Sequence, residues 1–486
     1  MKTKTIIIYF VLLTLGASTI LSAQQQVQLE QVLGTVINNS YAVQTARNQK
    51  NIAEASYKFY KSQLKPNVGL RASLPDYSKT SAPVIQPDGT ISFTSIRQAN
   101  STASLFATQL IPSTGGTIFF NSDIQRFDDF SLDDRQFNGS PVRLGISQPL
   151  FGFNPWKYLG NIENLRKEES LLEYNISIEE ALGTATELYF NILIAKQNLE
   201  IAKTNQLVNE KLLVITEERL FLGKVSRDEK LQLEIELNNA KLNVSQAGLQ
   251  VQQTIASLFT YLSAQLPENE AAFAVPDIAK ETKIDLTALL QQYKQNRPEI
   301  LAYQRAKRET DMDLAQAKSD FGLQADLQAS IGLARGAENL KEVYTDPFNE
   351  QQFNIALQIP ILDWGKRKSA MKQVEIRAQD LEAGFKQQVL QLENEIVQRV
   401  YQFERLQSDI TLLQEIMEKA QERFTISNER YVLGNIEITN LTLAQREKDQ
   451  AKRNYVNALK DYWVTYYELR ALSGYDILNN QKIIYQ

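Results

Sequence analysis

Cysteine and histidine are both absent from this sequence of 486 residues, so the side chains available for chemistry are carboxylates, amines, guanidinium groups and hydroxyls. That absence removes thiol and imidazole nucleophiles, histidine general bases, the Ser-His-Asp triad and every zinc site built from Cys or His. No disulfide framework can form, and no Cys near residue 23 could accept a lipid. Paired-carboxylate chemistry remains, but the acids fall on the polar faces of helical patterns, where solvation accounts for them. The expectation is a protein that is not an enzyme and uses no metal or cofactor. With 57 acidic and 52 basic residues, the charge balance does not point to nucleic acid as a partner.

What stands out instead is a repeated stretch. Residues 218–228 read ERLFLGKVSRD and residues 429–439 read ERYVLGNIEIT, 211 positions apart. Each has Glu-Arg, a bulky pair, Leu-Gly and a polar restart. Glycine at this point of a helical pattern marks a C-cap, because a residue without Cβ enters the left-handed region cheaply. Basic residues near such an end are stabilising in themselves. Each stretch therefore reads first as a bare helix turn, with a plain capping role for Arg219 and Arg430.

The elements carrying these turns are long helices. All thirteen prolines lie outside residues 156–266 and 361–486, and an interior proline costs a helix about 3 kcal/mol. Pro155 to Leu222 and Lys366 to Leu433 each span 68 residues, roughly 100 Å at 1.5 Å per residue. The helices that return, about 224–266 and 435–473, are near 60 Å long. Two more helical patterns cover about 27–65 and 285–322. From Phe385 to Phe424 apolar residues recur every 3.5 positions on average, the period of a seam facing a neighbouring helix.

Between the helices the period changes to two. Val142, Leu144 and Ile146 alternate with Arg143, Gly145 and Ser147, and Phe353, Ile355, Leu357 and Ile359 alternate with polar or small residues. Such alternation marks strands with one apolar and one polar face. The strands end at Pro149 and Pro360, again 211 apart, while Leu70, Ala72 and Leu74 precede Leu327, Ala329 and Ile331 by 257. The chain is an internal duplication, with 46 extra residues in the first strand pair. Their content of turn formers and charge predicts a long surface loop with an added hairpin around Ser104 to Phe127.

The order helix, strand pair, long helix, glycine turn, shorter helix, given twice, resembles the TolC-like outer membrane channel proteins of Gram-negative bacteria. The likeness covers essentially the whole chain beyond residue 23 and is sharpest at QPLFGFNPWK (148–157) and IPILDWGKRK (359–368). It implies a mixed α and β membrane protein in which each of three chains gives four strands to one twelve-stranded outer membrane β-barrel, continued by a long periplasmic α-helical barrel. Open strand edges cannot exist in lipid, so four strands would require oligomerisation. The aromatic residues Phe151, Phe153, Trp156 and Trp364 would form the periplasmic interface belt. Arg219, Leu220, Gly223 and Ser226, with Arg430, Tyr431 and Gly434, match the family's tip pattern; Glu437 departs from it. The resemblance implies that these tips meet a periplasmic membrane-fusion adaptor joined to an inner-membrane pump. It places Asn440 and Leu443 at the periplasmic constriction, where the absence of acids argues against a cation-binding ring.

Residues 1–23 have the layout of a cleaved signal peptide, with Lys2 and Lys4, an apolar run from Ile6 to Leu15, and Leu21-Ser22-Ala23. The expected divisions continue with a helix over 24–66, strands and a long extracellular loop over 67–150, and long helix, tip and return over 151–266. A linker at the equator follows over 267–284. The second repeat supplies 285–322, 323–362 and 363–473, and 474–486 is a periplasmic tail. Function is then an outer membrane exit duct for a tripartite efflux or type I secretion system. The competing reading is a secreted periplasmic coiled-coil scaffold or tether, which accounts for the helices and not for the alternating strands. Because the extra 46 residues have no counterpart in the second copy, a peptide tag inserted near Asp88 should be tolerated. It should be labelled on intact cells, whereas labelling only after outer membrane permeabilisation would mean the orientation is reversed.

Overall fold

The structure, a computed structural model of the chain, describes residues 26–265, 272–278 and 283–485. The expected signal peptide and part of the linker at 267–284 lie outside the described residues. In chain order the elements are α1 (Leu29–Asn39), α2 (Tyr41–Gln63), β1 (Asn67–Ile85), β2 (Ile91–Ile111), β3 (Gly116–Asp129), β4 (Asp134–Pro149), α3 (Trp156–Phe221) and α4 (Arg227–Tyr261). The second half gives α5 (Leu286–Asn296), α6 (Pro298–Asp320), β5 (Gln324–Ala337), α7 (Leu340–Thr345), β6 (Phe348–Gln358), α8 (Lys366–Val432) and α9 (Ile438–Ser473), and a two-residue hairpin pairs Tyr475–Asp476 with Gln481–Lys482. Two compact units result, one built from residues 1–41, 181–281 and 406–464, the other from 42–180, 282–405 and 465–486.

The proline-free intervals are helical as expected: α3 has 66 residues and α8 has 67. The predicted seam of α8 is its packed face, with Ile396, Val400, Phe403, Leu406 and Ile410 all buried. No helix among the described residues is long and apolar enough to cross a membrane. The two shorter helical patterns differ from expectation, since each is broken once. Ser40 (φ −65°, ψ 139°) and Arg297 (φ −92°, ψ 132°) are extended. Pro298 accounts for the second break, because it disfavours α geometry at the residue before it and fits the first helical position itself. Ser40 occupies the equivalent place of the first repeat without a following proline, so apolar periodicity alone runs across it.

In the second unit all six long strands form one antiparallel sheet in sequence order, β1 to β6. Four of them, β1, β4, β5 and β6, are the strands of the duplicated pairs. The other two, β2 and β3, are a correction to the count of four strands per chain: the extra residues do build the hairpin expected around Ser104 to Phe127, and both its strands join the sheet. The long surface loop expected around Asp88 is also mostly strand, with its turn confined to Gln86–Thr90 and Asp88 accepting from the Thr90 amide at 3.0 Å. Lys79, Arg97 and the small polar residues around them obscure the alternation there. A register shift between Ser73 and Asp76 surrounds Pro75, which has no amide to give to the ladder.

The helical part of the second unit closes on a buried ionic cluster. Arg470 makes two bonds to Glu179, at 2.7 and 2.8 Å, and one to Asp476 at 2.9 Å. The Tyr466 hydroxyl donates to Asp476 at 2.7 Å, and the Tyr485 hydroxyl donates to Glu179. Burial works against the charge of Asp476, yet Asn479, Tyr466 and Arg470 hold its carboxyl below the usual range. Burial pushes the hydroxyls of Tyr466 and Tyr485 up, with the nearby carboxylates adding to the rise. Arg470→Met would leave Glu179 and Asp476 buried without their cation, and stability should fall by about 3 kcal/mol or more, read as a lower melting temperature of the helical circular dichroism signal. The two raised tyrosines contribute stability that is present below their unfolded pKa of about 10 and lost as pH rises above it. Melting temperature should accordingly drop above about pH 10, and the drop should shrink in Tyr485→Phe.

Candidate functional site

The two glycine turns lie together in the first unit. Gly223 (φ 66°) and Gly434 (φ 81°) are both left-handed, and the hydrogen bonds match in the two copies. Lys224 donates to the Arg219 carbonyl at 2.9 Å and Gly223 to that of Leu220 at 2.9 Å; Asn435 donates to Arg430 at 2.8 Å and Gly434 to Tyr431 at 2.9 Å. This is the Schellman arrangement, which satisfies carbonyls left over at a helix end and puts glycine where a side chain would be strained.

Beneath the turns is a small core of Leu212, Leu233, Phe424, Tyr431, Ile438 and Leu441. Tyr431 is 0% exposed. Its hydroxyl lies 2.9 Å from that of Thr216 and 3.3 Å from Glu229, and burial pushes it above the ordinary tyrosine range. The Arg219 guanidinium sits 5.5 Å from the centroid of the same ring and donates to the Val432 carbonyl at 2.6 Å. Arg219 therefore caps the end of α8 from α3 and bolts one turn to the other. Ser226 is likewise structural: it is the N-cap of α4, accepting from the Glu229 amide at 3.2 Å.

The expected tip set thus divides. Arg219, Tyr431, Ser226 and the two glycines hold the turns, and Tyr431 has no surface to offer. Leu220 is half-buried, while Arg430 is exposed and makes no ion pair among the described residues. Beside them are residues not singled out from sequence: Phe221 at 92% exposure, Leu222 and Leu433. Their signal was Phe221-Leu222 and Leu433 directly before the two glycines, apolar side chains that capping does not require and that are not packed. Asn440 and Leu443 share the exposed side of α9, with the fully buried Leu441 between them. Within one chain they enclose nothing.

The strand wall of the second unit has one apolar and one polar face. Leu70 of β1, Leu105 of β2, Ile118 of β3, Leu144 of β4, Ile331 of β5 and Phe353 of β6 are all exposed. The opposite face carries Arg71, Ser104, Asn121, Asp123, Arg143 and Glu350; Arg143 and Glu350 pair at 2.8 Å across β5, and Ser104 bonds Asp123. Below the strands, Trp156 stacks on Tyr60 at 6.3 Å and Phe153 on Tyr158 at 6.3 Å. Phe151 and Trp364 are exposed. Asn154 fastens this end by accepting from the Trp156 amide at 3.0 Å and donating to the Pro112 carbonyl at 2.9 Å. No group of three or more acidic side chains that could hold a metal occurs among the described residues.

Comparison with known proteins gives this arrangement a context. The sequence profile described as Outer membrane efflux protein matches residues 93–264 and 289–475. No curated protein sequence matches significantly. Among solved structures, the CmeC outer membrane channel of Campylobacter jejuni is similar at 16% identity and a TM-score of 0.67, covering 92% of this chain and 85% of that one. The outer membrane protein VceC of Vibrio cholerae is similar at 15% identity and a TM-score of 0.65, covering 92% and 96%. The open state of the MtrE outer membrane channel of Neisseria gonorrhoeae gives 16% identity and 0.61, covering 92% and 88%. At these identities the likeness is one of fold: mixed α and β, with barrel strands and long helices in two repeats. The profile spans well over half the chain, and the chain belongs to the outer membrane efflux protein family.

Proposed function

We propose that three copies of this chain form a passive exit duct through the outer membrane, and that the glycine turns receive a periplasmic adaptor linked to an inner-membrane pump, in efflux or type I secretion. The observation that carries the duct is the sheet with an apolar and a polar face and, at each side, a strand whose outer edge has no partner within the chain. An open edge has no partner for its amides and carbonyls in hydrocarbon, so such a sheet requires further copies to close it. The polar face then lines water and the apolar face meets lipid. For the docking end, support comes from Phe221, Leu222, Leu433 and Arg430, which the fold leaves exposed at twin turns. Exposed apolar residues beside a charge suit a protein partner. Asn440 and Leu443 would form a polar and apolar constriction where copies converge.

Native mass measurement of the detergent-extracted protein should give three copies. The membrane fraction should retain the protein through a high-salt wash, since apolar area rather than charge holds it. Release by salt would favour the secreted scaffold reading.

The docking proposal separates residues that hold the turn from residues that face outward. Arg430→Glu combined with Phe221→Ser should leave assembly and melting temperature within about 0.5 kcal/mol of the parent, yet abolish export of a reporter cargo. Arg219→Ala should instead cost about 1 kcal/mol of stability, because it removes a bond to a helix-end carbonyl. A cysteine introduced at Lys224 or Asn435 should cross-link to a periplasmic protein in cells. Normal export by the double variant, with no cross-link from either position, would reduce the turns to a folding device.

A further inference from the structure

From the sheet we infer that the membrane wall is closed by eighteen strands, six from each of three copies, with β6 of one copy pairing to β1 of the next. The inference rests on the three-copy duct proposed above and goes beyond the twelve-stranded wall that the family resemblance implies. Its foundation is that β2 and β3 are ordinary wall strands by every local criterion. They pair with β1 and β4 along most of their length, Asn67↔Thr108 to Ile85↔Ile91 on one side and Thr117↔Ser147 to Asp129↔Asp134 on the other. No pairing joins β1 to β4. Removing the hairpin from the wall would therefore expose two strand edges that it now satisfies.

The side chains agree with the pairing. A row of paired residues keeps one face from β1 to β5: Val68 opposes Ala107, which opposes Phe120, which opposes Leu144, which opposes Ile331, and the row meets a polar side chain only at Gln351 of β6. On the other face Arg71 opposes Ser104, and Ser104 opposes Asp123. A one-residue slip or a plug folded over the sheet would put polar residues on the lipid side along the hairpin; this row carries none from β1 to β5. Two glycine and phenylalanine pairs, Gly69 with Phe106 and Gly145 with Phe119, fit each ring of the hairpin over the bare backbone of the neighbouring strand. A Cβ at either glycine would collide with that ring, so the hairpin is seated at both of its flanks.

Direction and closure follow. β1 runs away from α2 and β6 runs back toward α8, so the free edges of one copy are antiparallel to each other. An even number of strands per copy lets each edge meet the next in antiparallel fashion all the way round. The turn after β2 is held at the helical end of the sheet by Thr114 on Gln148 at 2.7 Å and by Asn154 on Pro112 at 2.9 Å, so β2 and β3 cross the same depth as their neighbours. Barrel diameter grows roughly in proportion to strand number, which makes this wall about half again as wide as one of twelve strands.

The absence of native cysteine makes single thiols a clean probe. In proteoliposomes, a fluorophore on Leu105→Cys or Phe120→Cys should be quenched several-fold more by brominated lipid chains than one on Ser104→Cys or Asn121→Cys. The latter two should react with a charged, membrane-impermeant thiol reagent. A Leu70→Cys, Ile355→Cys double variant treated with a short bifunctional reagent should yield a covalent ladder ending at three copies. Strand counting in top-view electron micrographs of the unmodified protein provides a reading independent of any variant. Water access at all four hairpin positions, with a native mass of three copies, would overturn the eighteen-stranded wall and leave the duct standing. A native mass of two copies would overturn both, since two sheets of six would close at twelve.

Discussion

A strand edge in hydrocarbon leaves a row of amides and carbonyls without partners, at a cost of several kcal/mol for each group. Much of this protein answers to that constraint. It requires neighbouring strands to pair over the full depth of the bilayer, and β2 through β5 of this sheet each have two neighbours. It requires alternation, because once all backbone groups are satisfied the only remaining choice is which side chains face lipid. The positions where side chains crowd are resolved locally, by a glycine under a phenylalanine and by an arginine reaching a glutamate over a strand of small residues. The outermost strands, β1 and β6, are what one chain cannot provide for by itself.

Much of this architecture was legible in the residues. Prolines excluded from two long intervals marked α3 and α8 to within a residue or two, since a missing amide inside a helix is costly enough to be avoided. The offsets of 211 and 257 exposed the duplication before any fold was considered. What escaped had physical reasons. The break at Ser40 is made by backbone geometry without a proline to announce it. Residues 79–85 of β1 and 91–97 of β2 extend beyond β3, and Lys79, Arg97 and the small polar residues between the apolar ones blur the alternation there, which is the strand signal. At the turns, sequence spacing located the motif but could not tell which arginine would turn inward. Arg219 and Arg430 occupy equivalent positions, yet only Arg219 finds an aromatic ring and a free carbonyl opposite it.

That asymmetry runs through the whole duplication. The first copy caps its return helix with Ser226, while the second has Glu437 at the same place and begins α9 without a side-chain cap of that kind. The first copy inserts a hairpin between its strands; the second has the short helix α7 there, with the buried Val343. A shared backbone plan therefore tolerates different local solutions provided that the glycine turns, the strand ends and the two helix breaks keep their places. Those conserved places are where backbone conformation, rather than side-chain packing, sets the requirement.

The ionic cluster around Arg470 adds a temporal dimension. Its members are far apart in order of synthesis: Asn175 accepts from the Tyr485 amide at a separation of 310 residues, and Glu179 meets Arg470 at a separation of 291. Contacts this distant along the chain pay their loop-closure entropy last. A chain emerging N-terminus first holds Glu179 in a long helix without its cation until Arg470 arrives. Residues 470–485 thus act as a clasp that closes on Glu179 and Asn175 only after the long helix carrying them has been made.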